Sequence, residues 1–114
     1  MPNQAERFRT EREELNKKVL SCGSKTIQRF FALDTAAYKK GALPAKTKEL
    51  MGLAASMVLR CDDCITYHLL RLAEEGASKG EIMEALEIGL VVGGSIVIPH
   101  LRRAYRLLEE LAVA

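Results

Sequence analysis

The stretch "LMGLAASMVL", residues 50 to 59, is apolar on nearly every side of any helix it forms. A helix of that kind has to be covered by neighbours, which places it at the centre of a bundle. Its small residues Gly52, Ala54 and Ala55 let those neighbours approach closely. No stretch of the chain alternates apolar and polar residues over a strand's length between turn signals, so no sheet is expected. The expectation is an all-α fold, a single-domain bundle of about six helices.

Helix punctuation divides the rest. Residues 3 to 21 are charge-rich, with Phe8, Leu15 and Val19 on one face. "SCGS" breaks that pattern at Gly23, and Ser24 can cap a second helix in which Ile27, Phe30, Phe31, Ala37 and Tyr38 recur at helical spacing. Gly41 is its expected stop, and Pro44 suits the first turn of the third helix, residues 45 to 60. The fourth helix starts near Cys61 or Asp62 and ends at Gly76. Ser78 and Glu81 spell a capping box for the fifth, whose apolar face is Ile82, Leu86, Gly89, Leu90 and Gly93. Gly93-Gly94-Ser95 marks a break or tight crossing. In the last helix Val97, Leu101, Ala104, Leu108 and Leu111 form a packing seam, with Pro99 in its first turn.

With 114 residues, one domain is expected over 1–114: an oligomer-stabilising N-terminal helix in 1–24 and a core in 25–113. A chain this short buries only about 65% of its unfolded surface, so apolar surface is left for other copies and a homo-oligomer is expected. The net charge of +2 comes from interleaved signs, and no basic stripe is interleaved with aromatics, which argues against nucleic acid as a partner. Only three cysteines occur, and the charged opening "MPNQAERFRTEREEL" does not read as a signal peptide. The longest apolar run, Ile88 to Pro99, is too short for a bilayer, which needs about 20 residues. A cytoplasmic protein with no membrane partner is the expectation.

"CDDCITYH" carries the chemistry. Cys61, Cys64 and His68 stand three and four residues apart, so they share one stripe of a helix. That spacing permits a disulfide, and a helix start favours the thiolate form. Glu49 lies twelve residues before Cys61 and His68 seven after it, so an antiparallel hairpin brings carboxylate and imidazole roughly level. Glu49 would then orient His68, and His68 would serve Cys64. Three readings use these residues: a redox pair, a zinc site completed by Glu49, Cys22 or His100, and plain packing of buried thiols. In the bland alternatives, Glu49 merely complements a helix dipole. Tyr67 reads as packing or cleft wall, and His100 as within reach of an interface cleft or, more plainly, a solvated helix-start histidine. Arg102, Arg103 and Arg106 read as a solvated face with Glu109 and Glu110 nearby.

Residues 42 to 86, with looser similarity from about 27 to 110 that includes "GLVVGGS", resemble the alkylhydroperoxidase D-like branch of the carboxymuconolactone decarboxylase superfamily. That family's glutamate followed by C-x-x-C-x-x-x-H maps onto Glu49, Cys61, Cys64 and His68. The resemblance implies an all-helical subunit assembling into trimers or hexamers, with the cysteines in a small cleft near a subunit interface. It implies a thiol-dependent peroxidase or disulfide reductase of antioxidant type, needing no cofactor but an external dithiol or disulfide-carrying reductant. In it Cys64 attacks a peroxide and Cys61 resolves the sulfenic acid. The best-known members carry a histidine just before the second cysteine; here Asp63 stands there, and a carboxylate works against a nearby thiolate. A decarboxylase acting on a cyclic lactone acid and a non-catalytic redox sensor are the alternatives; the namesake decarboxylases generally lack the CxxC pair.

Overall fold

Capping chemistry sets most of the helix starts. Asn3 accepts the Glu6 amide at 2.9 Å while the Glu6 carboxylate accepts the Asn3 amide at 3.2 Å, opening α1 (Gln4–Leu20). Ser24 accepts the Ile27 amide at the start of α2 (Lys25–Ala37). Pro44 precedes α3 (Ala45–Leu59), and Cys61 caps α4 (Asp62–Glu74). Ser78 and Glu81 make the expected reciprocal box at α5 (Lys79–Gly93), after which a single 3-10 turn, Ser95–Val97, leads into α6 (Ile98–Leu111). The structure is a computed structural model that describes residues 3–114; residues 1 and 2 of the N-terminal segment lie outside the described residues. It is all-α, with six α-helices and no strand among the described residues.

The chain divides into two compact units, one ending at Lys40 and one running over Gly41–Ala114. The first is α1 with α2. The apolar spacing of α2 does not produce a buried stripe: no residue of it is buried, and Phe30 and Leu33 are 65% and 67% exposed. This helix also ends at Ala37, short of the expected stop at Gly41.

In the second unit α3 packs chiefly against α5 and α4, and α4 also against α6. Leu53 and Met57 from α3, Ile65, Leu69 and Leu72 from α4, Ile82 and Leu86 from α5, and Leu107 and Leu108 from α6 form its dry centre. Each such side chain contributes about 1.5–3 kcal/mol relative to exposure. At α3–α5 the close approach is made at Gly89 of α5. A β-carbon at Gly89 would lie 2.6 Å from Met57 Cβ and 3.2 Å from the Ala54 carbonyl oxygen. Gly94, at φ +84°, makes the break that follows α5.

The centre-of-bundle expectation for α3 holds on one side only. Its principal neighbours are two, and Met51, Val58 and Leu59 remain exposed, as do Ile88, Val91 and Val92 on α5. No helix among the described residues is long and apolar enough to cross a membrane.

Candidate functional site

The site grows from the turn between α3 and α4. Arg60 closes α3 in the left-handed conformation (φ +56°), its amide reaching the Met57 carbonyl, while the Cys61 amide reaches Ser56 at 3.1 Å. Cys61 thereby becomes the N-cap of α4, and its sulfur accepts the Cys64 amide at 3.2 Å. Cys61 and Cys64 are joined as a disulfide across one helical turn, with α-carbons 5.2 Å apart. Asp62 and Asp63 occupy the first turn, where the exposed amides of a helix start favour negative charge.

One turn further along α4, His68 is 7% exposed and Glu49 of α3 is 2% exposed; His68 Nδ1 and Glu49 Oε2 are 2.7 Å apart. The antiparallel register read from the sequence is thus the one the hairpin adopts. An ionised carboxylate can only accept, so with Glu49 charged the ring carries its proton on Nδ1 and, when neutral, its lone pair on Nε2. Tyr67 meets the His68 ring edge-on, with centroids 5.4 Å apart.

Sequence reasoning missed Arg71. Its Nε lies 3.7 Å from the second oxygen of Glu49, while its two terminal nitrogens bond Glu74 at 2.7 Å and Glu75 at 2.8 Å. Burial works to lower the guanidinium's pKa; the hydrogen bond and charge of Glu74, the hydrogen bond of Glu75 and the charge of Glu49 outweigh it, and the pKa is raised. The signal was present in the sequence: Arg71 stands three residues after His68, on the same stripe.

A second cluster also went unread. His100 Nδ1 lies 2.8 Å from Asp62 Oδ1, and Arg103 donates to Asp62 Oδ2 at 3.0 Å. His100 is therefore a half-buried tie between α6 and the start of α4 rather than a solvated histidine, and Arg103 serves that tie rather than only a solvated face. Cys22 is an exposed free thiol in the first unit. Among the described residues no group of three or more His, Cys, Asp or Glu side chains is arranged to hold a metal ion.

Residues 25–110 match the family model described as "Carboxymuconolactone decarboxylase family". A Thermotoga maritima protein of known crystal structure is 66% identical, with a TM-score of 0.91 over 93% of both chains. An involvement in the antioxidative response has been suggested for it, and it is described as a carboxymuconolactone decarboxylase family protein. A family member from Legionella pneumophila is 26% identical, with a TM-score of 0.86 over 96% of this chain and 98% of that one. An uncharacterised protein of the cox locus of Paracoccus denitrificans is 30% identical over 89 residues, 78% of this chain and 80% of the relative.

Proposed function

The chain belongs to the carboxymuconolactone decarboxylase family, and on that premise we propose that it is a thiol-dependent peroxidase or disulfide reductase working through Cys61 and Cys64. The observation that carries this reading is the disulfide-forming pair on the same helix as a buried imidazole, one turn beyond Cys64, that is itself bonded to a buried carboxylate. Burying both groups is costly unless they are hydrogen-bonded or paired, and here each is the other's partner. The antioxidative role suggested for the Thermotoga maritima relative points the same way.

In the proposed cycle His68 takes the Cys64 proton, and Glu49 stabilises the imidazolium that results. The Cys64 thiolate attacks the peroxide ROOH: an S–O bond forms, the O–O bond breaks, and the departing alkoxide takes a proton from His68 to leave as ROH. The Cys61 thiol then displaces hydroxide from the Cys64 sulfenic acid, giving the disulfide and water. An external dithiol reduces the pair by two thiol–disulfide exchanges and leaves as its own disulfide. That partner is a dithiol or disulfide-carrying reductant, and the compartment is the cytoplasm. Apolar side chains exposed on α2, α3 and α5 support assembly into a homo-oligomer, which the family resemblance makes a trimer or hexamer.

The test counts thiols in fully reduced protein before and after one equivalent of peroxide. Two thiols per subunit are expected to vanish, and Cys64→Ser is expected to abolish the loss. Stoichiometric oxidation without turnover in the presence of a dithiol would reassign the protein to redox sensing. Unreactive thiols would end the reading.

A further inference from the structure

We propose that Arg71 is a positioning residue of this site: anchored by Glu74 and Glu75, its guanidinium lies beside the buried Glu49 and sets the pH at which the Cys64–His68 pair sheds its first proton and becomes a nucleophile. The inference rests on the functional reading above, because it assigns Cys64 and His68 as the reacting pair.

Glu49, His68 and the reduced Cys64 thiol can hold three protons between them. The nucleophilic form holds one, either as thiolate with imidazolium or as thiol with neutral imidazole, beside an ionised Glu49. The form one proton richer is inert. Glu49 and His68 are 2.7 Å apart and Cys64 stands one helical turn before His68, so the midpoint belongs to the cluster, whichever atom the departing proton leaves. A fixed cation nearby disfavours every added proton in the cluster and so moves that midpoint downward.

Arg71 is placed to be that cation. Arginine stays charged throughout, and its planar fork serves several carboxylates at once. Here the two terminal nitrogens are committed to Glu74 and Glu75, and the Nε edge is turned to Glu49 at 3.7 Å. The surface carboxylates thus fix the guanidinium over a carboxylate it does not itself hydrogen-bond. Lysine would bring the charge without the fork.

Other charged groups also lie on the packed elements. Lys46 of α3 pairs with Glu81 of α5 at 2.9 Å. His100 and Arg103 of α6 hold Asp62. Asp63 is exposed, Tyr67 packs edge-on to the His68 ring, and Lys48 neighbours Glu49 in sequence.

The experiment uses the full chain, fully reduced, with iodoacetamide as the probe and mass spectrometry to separate Cys64 from Cys61 and Cys22. Alkylation rate at Cys64 is followed against pH in wild type, R71M, R71Q and R71K. R71M and R71Q are expected to move the acid limb upward by about one pH unit, or about a tenfold loss of rate on that limb. R71K is expected to return most of the shift. A merely structural arginine would lower the denaturation midpoint and leave the pH midpoint in place; that result in either neutral variant overturns the proposal, so one of them folding suffices. The probe consumes no peroxide. A protein that fails the peroxide test but shows the shift loses the functional reading and keeps the electrostatic one, and the converse result separates them equally.

Discussion

Glu49→Gln isolates the charge of the relay from its shape. The amide is nearly isosteric, and its carbonyl can still accept from His68 Nδ1, 2.7 Å away in the native pair. What changes, in the proposed cycle, is the stability of the imidazolium that forms as Cys64 gives up its proton. A hydrogen bond to a charged group contributes about 1.5–3 kcal/mol against about 0.5–1.5 for a neutral one. The substitution therefore removes about 1–2 kcal/mol of bias toward thiolate and imidazolium. In the same rotamer the amide nitrogen comes to face Arg71 across the 3.7 Å now spanned by an attractive pair, which adds to the loss. If the amide flips, its N–H₂ meets Nδ1 and forces the proton onto Nε2, so the ring can no longer receive one there. Either way the plateau rate of thiol loss to one equivalent of peroxide is expected to fall about 5–30-fold, at about one decade per 1.4 kcal/mol. Stopped-flow thiol titration at the wild-type plateau pH measures it, and urea unfolding confirms that the variant is folded. A plateau rate equal to wild type, with Cys64→Ser inert in the same assay, would show that the carboxylate does not act on the thiol.

Two further predictions concern the frame around the site. Gly89→Ala places a β-carbon 2.6 Å from Met57 Cβ, so α3 and α5 must part; overpacking outweighs the better helix propensity, and urea unfolding is expected to show a net loss of about 1–2 kcal/mol, an unchanged or higher midpoint contradicting it. The Glu81 carboxyl is held below its usual range by the Ser78 amide first and Lys46 second. A depressed folded value means that its stabilisation is complete above the unfolded carboxyl range and is lost as pH falls through the folded one. Glu81→Gln is therefore expected to unfold earlier in urea at neutral pH and to converge on wild type on acidification; a gap that persists in strong acid would refute this assignment.

What was legible in the sequence was whatever depends on short separations. The Ser78–Glu81 box, the Ser24 cap and the Cys61–Cys64–His68 stripe are each fixed within one or two helical turns, where helix geometry leaves few choices. Glu49 could be placed because only a tight hairpin separates it from its partner, so counting residues on both sides of Arg60 gives the register. Arg71 was harder: a long flexible side chain with three carboxylates in reach advertises none of them, and only the burial of Glu49 shows which one matters. His100 and Asp62 are 38 residues apart, on helices whose relative placement depends on how α4 and α6 pack. The exposure of the apolar residues of α2 has a different cause. Periodicity marks a face that could be buried, and whether another surface covers Phe30 and Leu33 is decided outside that helix.

The two carboxylate–histidine–arginine clusters differ in environment, and that difference sorts their roles. Asp62 is nearly half exposed at its side chain and meets His100 and Arg103 close to solvent, where pairs of charges contribute little energy but can still fix orientation. Its position directly after Cys61 makes that tie an anchor for the first turn of α4, the turn whose backbone must hold both sulfurs whether or not they are joined. Glu49 and His68 are almost dry, so each charge added or removed there is felt strongly by its neighbours. The exposed cluster is thus suited to holding the cysteine turn still, and the buried one to the proton transfer of the proposed cycle. A design that exchanged the two, with the dry pair at the cap and the wet pair beneath Cys64, would place the strong field on the backbone and leave the thiol to water.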